Sequence, residues 1–120
     1  MNAPEKRGTG IRDERMESYI QVLTTTERKE DAEKIAAALI EKRLAACVQI
    51  AGPITSIYRW RENIESAGEW QCWIKTKEAL YMEIEKTIKS IHPYEVPEII
   101  AVPIARGSRE YLEWLEKEVK

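Results

Sequence analysis

His92 is the single imidazole in the chain, and Cys47 and Cys72 are its two thiols. Any nitrogen-ligated transition-metal site must therefore include His92, joined by Glu95 or Glu98 further along, or by donors from another copy of the chain. The competing use of the ring is structural: at a helix end it meets unpaired carbonyls and the negative pole of the helix dipole. Cys47 offers a thiolate to a soft ion such as Cu(I), or packs as a small hydrophobe, as unbridged cysteines commonly do. Cys72 reads as packing. One His and two Cys build neither a dense metal cage nor a disulfide framework. Nucleophilic catalysis needs a base beside a thiol or hydroxyl, and His92 supplies one only through an undetermined tertiary contact, so no enzyme is expected. Lys75 and Glu98, with Tyr58 or Tyr94, could line a polar cleft that grips a small anion; the same residues could serve as salt bridges at an interface. The five glycines are dispersed, which excludes a phosphate loop of the P-loop or Rossmann kind.

A chain of 120 residues is one domain's worth of polypeptide. With 43% hydrophobic and 33% charged residues it has the composition of a folded globule. Nineteen Lys and Arg against 21 Asp and Glu give 19 − 21 = −2, which argues against a partner made of nucleic acid. No apolar run approaches the length of about 20 residues that spans a bilayer, and the N-terminus lacks the apolar core of a secretory signal. The membrane is thus not expected as a partner, and the cytoplasm is the expected compartment. Residues 1–17 mix charge and glycine with scattered apolar positions and read as a flexible tail, leaving 18–120 as a single domain.

The elements that must position these side chains follow from periodicity. Tyr19 to Leu23 suits a pleated surface and reads as a first strand. Ala32, Ile35, Ala36, Leu39, Ile40 and Leu44 recur at helical spacing, with Thr26 available to cap the helix start. Ala46 to Trp60 alternates as one long strand kinked at Gly52-Pro53, with two separate strands as the alternative. A polar connection over 61–68 leads to a strand from Glu69 to Thr76, completing a hairpin. A turn centred near Glu65 would set Cys72 opposite Tyr58 and leave Cys47 about 30 Å away, so both thiols are expected reduced. Leu80, Ile84, Ile88 and Ile91 mark a second helix that His92-Pro93 ends. Glu98 to Ile104 is a fourth strand, and Ser108 caps a last helix with Tyr111, Leu112, Leu115 and Val119 on one face.

That order predicts an α+β, ferredoxin-like βαββαβ sandwich with an additional C-terminal helix. Two helices cover one sheet face. The other face and the hairpin carry more aromatic surface than a monomer can hide, so sister subunits are expected against them, with Trp60, Trp70, Trp73, Tyr94 and Trp114 at the contact.

The runs Glu41-Lys42-Arg43-Leu44-Ala45-Ala46-Cys47-Val48, Ser56-Ile57-Tyr58-Arg59-Trp60, Ile74-Lys75-Thr76, His92-Pro93-Tyr94-Glu95-Val96-Pro97-Glu98-Ile99 and Tyr111-Leu112-Glu113-Trp114 resemble, in order, the motifs of the CutA divalent-ion tolerance proteins. The resemblance covers about Tyr19 to Leu115. It implies a tight homotrimer whose hairpin strands extend across subunits, and a role in tolerance to divalent metal ions, chiefly copper, with no agreed reaction. On that reading copper or another divalent cation binds weakly, at sites including His92, Cys47 and Glu95, and none is required. Some members carry a thiol near the end of strand one and a second His before the aligned one; here Thr24 and Ile91 stand there, which removes two soft or nitrogen donors. The architecture also resembles trimeric PII signalling proteins, which bind small effectors in clefts between subunits; Lys75, Glu98 and Tyr58 are the residues for such a cleft. A purely structural trimeric scaffold is the third expectation.

Overall fold

The computed structural model describes residues 18–120, so the expected tail over 1–17 lies outside the described residues. Among these residues four strands and three helices follow in the order β1 (Tyr19–Thr26), α1 (Lys29–Glu41), β2 (Cys47–Trp60), β3 (Asn63–Lys77), α2 (Tyr81–Ile91), β4 (Ile99–Pro103) and α3 (Arg109–Glu118), with a short 3-10 turn at Glu78–Leu80 ahead of α2. All pairings are antiparallel, and the sheet order is β2-β3-β1-β4. This is the ferredoxin-like α+β arrangement, with a C-terminal helix added.

Alternation along β1 sorts the two faces. Ile20 and Val22 are buried, as are Ile74, opposite Val22 on β3, and Cys72, opposite Thr24, and they join Ala32, Ile35 and Leu39 of α1 and Ile84 and Ile88 of α2 in one core. The other face carries a row of Leu23, Trp73 and Ile100 across three strands. Glu116 of α3 reaches this second face, accepting from the Tyr19 hydroxyl at 3.1 Å and the Lys77 ammonium at 3.2 Å. Leu115 and Val119 are buried as expected, whereas Tyr111 and Trp114 stay substantially exposed. The Ser108 hydroxyl does cap α3, accepting from the Tyr111 amide. Among the described residues no helix is long and apolar enough to cross a membrane.

Three local expectations change. Thr26 does not cap α1: its hydroxyl donates to the Arg28 carbonyl at 2.8 Å, and Arg28 occupies the cap position without a side-chain bond. Helix α1 stops at Glu41, because Arg43 enters the left-handed region at φ 58° and turns the chain; Leu44 is buried after the helix, not within it. The hairpin turn is not near Glu65. Arg61 and Glu62, both at positive φ, form a two-residue turn that pairs Trp60 with Asn63. This is the twist-matched hairpin geometry usually signalled by Asn-Gly, built here from residues that give no such signal. The shift puts Cys72 opposite Ile50 and Tyr58 opposite Glu65. Cys47 and Cys72 are therefore near neighbours along the hairpin, yet they point to opposite faces, and both are unbridged.

The kink expected at Gly52-Pro53 is present, as a register shift between Ala51 and Ile54. Beyond it the hairpin runs on alone: β1 pairs with β3 only from Lys77 to Trp70, so Ile54 to Trp60 and Asn63 to Glu69 project as a two-stranded arm. The arm starts where the Gly52 backbone lies against the Trp70 ring. A Cβ on residue 52 would sit 2.8 Å from Trp70 Cε3 and 3.1 Å from the Glu69 carbonyl oxygen. Gly52→Ala is expected to cost about 1–3 kcal/mol through overpacking, read as a lower urea midpoint.

Candidate functional site

The segment after α2 folds back toward the arm, and His92 begins the turn. Its ring is 8% exposed. Nε2 lies 2.8 Å from the Thr25 carbonyl oxygen, and Nδ1 accepts the Tyr94 amide at 3.1 Å. A carbonyl can only accept, so the proton sits on Nε2 and both nitrogens are committed. The Tyr94 ring packs against His92 with centroids 4.7 Å apart, and its hydroxyl donates to Glu69 Oε2 at 2.6 Å. The Ser56 hydroxyl donates to Glu69 Oε1 at 2.7 Å. Glu69, 6% exposed, is thus a buried carboxylate held by one donor from the arm and one from the 92–98 segment. Burial, then the hydrogen bond and charge of Glu69, hold the Tyr94 phenol well above its ordinary value, with Glu27 and Tyr58 adding in the same direction.

Between arm and segment opens a cleft of about 600 Å³. Its walls include the aromatic rings of Tyr58, Trp60 and Tyr94, and its charged groups are Glu69, Glu95 and Glu98. At the rim Arg61 Nη2 lies 3.0 Å from Glu95 Oε1, and the Arg61 guanidinium lies 5.2 Å from the centre of the Trp60 ring.

Of the residues expected in a small-ligand cleft, Tyr58 and Glu98 are here, but Lys75 is not. Lys75 pairs with Gln21, four positions along β1 from Thr25, a displacement of about 13 Å. Its ammonium hydrogen-bonds the Gln49 side chain and lies 5.7 Å from the Trp73 ring centre. No Lys or Arg is among the residues lining the cleft, and the cation at its rim, Arg61, is already paired with Glu95. Cys47 pairs with Lys75, at that same distant end, so His92, Cys47 and Glu95 do not form one site within a protomer. Among the described residues no three His, Cys, Asp or Glu side chains converge for a metal. Cys72 gives its thiol to the Ala32 carbonyl at 3.6 Å, and burial pushes its pKa up to about 11. Trp70, expected at a subunit contact, packs instead on the protomer's own core beneath the Lys29 ammonium. Trp60, Trp73 and Trp114 keep exposed surface, while Tyr94 is half-buried inside its own chain. Sequence reasoning missed Ser56, Glu69 and Arg61; the available signal was an acid set directly beside Trp70 at the start of the apolar half of the strand.

Removing the Tyr94 hydroxyl leaves buried Glu69 with one donor. Tyr94→Phe is expected to lower stability by about 1–2 kcal/mol near neutral pH. The phenol's folded pKa lies above its unfolded value of about 10, so its contribution is complete below that pH and is lost as pH rises toward the folded value. Tyr81 and Tyr111 are raised as well, chiefly by burial, and their share of the alkaline loss remains in the variant. Urea midpoints between pH 8 and 11 should fall less steeply for Tyr94→Phe than for wild type; parallel slopes would refute the assignment.

Comparison with known proteins places this geometry. The family model for CutA1 divalent ion tolerance protein matches residues 20–118. The divalent-cation tolerance protein CutA of Thermus thermophilus is 47% identical over 96 residues, covering 80% of this chain and 93% of that one. Human protein CutA is 43% identical over 100 residues, and there the match spans 56% of the relative's length, so the chain accounts for about half of it. The solved Thermus thermophilus structure superposes with a TM-score of 0.81 at 45% identity, covering 88% of this chain and 100% of that one. The Archaeoglobus fulgidus CutA structure, described as periplasmic, gives 0.81 at 40% identity with the same coverage of 88% and 100%. With the profile extending over nearly all the described residues and relatives this similar matched almost end to end, the chain belongs to the CutA1 divalent ion tolerance protein family.

Proposed function

We propose that this chain acts as a homotrimer in tolerance to divalent cations, copper among them, by weak binding or sensing and without catalysis, in the cytoplasm. The observation that carries the reading is family membership, since the family is named for tolerance and not for a reaction. The trimer is supported by surface. Ile57 is 72% and Ile64 70% exposed on the arm, and Trp73 and Ile100 of the second-face row keep 37% and 48% of their surface exposed. A two-stranded ribbon is marginal by itself in water, and sister subunits would cover what the protomer leaves bare. Sedimentation at micromolar concentration should give a single species of three chains; a stable single chain would overturn the assembly.

The donors of one protomer do not fit a soft copper centre. Both nitrogens of His92 are engaged, and Cys47 lies at the far end of the sheet. Copper held by this chain would therefore be cargo on exposed carboxylates such as Glu95, with further donors from neighbouring subunits and with His92 as a positioning residue. In copper titrations of the assembled protein, Glu95→Gln should weaken binding about three- to tenfold. His92→Ala should leave stoichiometry unchanged while destabilising by about 2–3 kcal/mol, because it strands the Thr25 carbonyl and the Tyr94 amide. Lost stoichiometry in His92→Ala would make the ring a ligand and overturn its positioning role.

The cleft favours a second reading, an effector-binding module of PII type. Its volume of about 600 Å³ lies within the usual range for small-molecule sites, and its walls combine apolar rings with a few polar groups.

A further inference from the structure

We propose that the cleft between the arm and the 92–98 segment binds a small organic cation, a guanidinium or substituted ammonium on a short apolar body. The inference rests on the reading of this cleft as an effector site and names its ligand class. Charge points first: every ionisable group lining the cleft that is charged at neutral pH is a carboxylate, contributed by Glu69, Glu95 and Glu98. Lys75, the cation that would have received an anion, stands about 13 Å away along the sheet. The walls point the same way. Tyr58, Trp60 and Tyr94 line the cleft with aromatic rings, whose negative quadrupole attracts a cation and whose area shelters its apolar body.

A bare divalent ion suits the cleft less well. Both oxygens of Glu69 already accept, from Ser56 and Tyr94, and no three acidic, thiol or imidazole groups converge among the described residues. Metal coordination needs convergence; a delocalised cation over rings with one or two carboxylates at its edge does not. The chain itself supplies the precedent. Arg61 stacks its guanidinium on Trp60 and pairs with Glu95, and both partners of that ion pair are about two-thirds exposed, at 69% and 70%. Such an exposed pair is weak and replaceable. A ligand guanidinium can occupy the same kind of environment deeper in the cleft, against Glu98, or take the place of Arg61.

Calorimetric titration of the assembled full chain with n-butylguanidinium, neutral n-butylurea and butyrate tests this. Butylguanidinium should bind once per chain and at least about tenfold more tightly than the urea. Glu98→Gln should weaken it about fivefold, and Arg61→Gln should tighten it about threefold by vacating Trp60 and Glu95, with sedimentation unchanged in both. Urea or butyrate binding as tightly as the guanidinium would overturn the cation assignment while leaving an effector cleft in place. Binding of none of the three would remove both readings. Unchanged affinity in Glu98→Gln with assembly intact would overturn the location.

Discussion

Strand β1 stops pairing with β3 at Trp70, and the hairpin does not stop with it. Among the described residues the ribbon that continues pairs with no third strand, so the sheet's own ladder does not support it. A ribbon of this kind needs outside support, and the chain supplies it with a segment that returns from α2. Two cross-links join them, Tyr94 to Glu69 inside and Arg61 to Glu95 at the rim. They differ in weight. The rim pair is exposed and contributes little, whereas Glu69 is buried and demands partners. The cleft is the space between a ribbon and a segment tied at two such points.

A carboxylate taken out of water carries a desolvation penalty of several kcal/mol, which charge-assisted hydrogen bonds of about 1.5–3 kcal/mol each can offset only if more than one is made. Ser56 and Tyr94 make two. Their distances of 2.7 and 2.6 Å are those of hydroxyls on an ionised acceptor. The arrangement then reaches backward: Tyr94 can meet Glu69 only if its backbone is placed, and its amide is held by His92 Nδ1. His92 in turn is fixed by the Thr25 carbonyl of β1. One imidazole thus connects the sheet's central strand to the arm through a single tyrosine. That explains a His-Pro-Tyr-Glu run without asking the ring to hold a metal.

How much of this was legible in the sequence depends on range. Apolar periodicity located α1, α2 and all four strands, because each is decided by neighbours three or four positions away or by simple alternation. The bulge at Gly52-Pro53 was legible because glycine and proline act locally. Arg61-Glu62 was not, since neither residue favours positive φ; the pairing of two long strands imposes it on them. That one misplaced turn moved every cross-strand partner, including those of Cys72 and Tyr58. Trp70 was misassigned for a related reason: which face an aromatic takes depends on register, and Trp70 shares its face with Cys72 and Ile74. The cleft was half legible. Glu95, Glu98, Tyr58 and Tyr94 could be suspected from their types, but the exclusion of Lys75 and the burial of Glu69 are facts of register and long-range contact.

The exposed apolar surfaces are not equivalent, and their difference decides which of them an assembly would cover. The row of Leu23, Trp73 and Ile100 crosses the sheet beside exposed Val102 and among Gln21, Gln71 and Lys75, an apolar centre with polar neighbours of the kind that buries well between proteins. The rings of the cleft lie beside Glu95 and Glu98. Closing a protein surface over them would bury those carboxylates and require a cation opposite each, or carry the desolvation penalty. A sister chain placed on the sheet row meets no such obstacle. The physical division of labour therefore runs within the hairpin: its base, the adjoining sheet and the outer surface of the arm suit self-association, and the cleft behind the arm suits a small charged visitor that brings its own counter-charge.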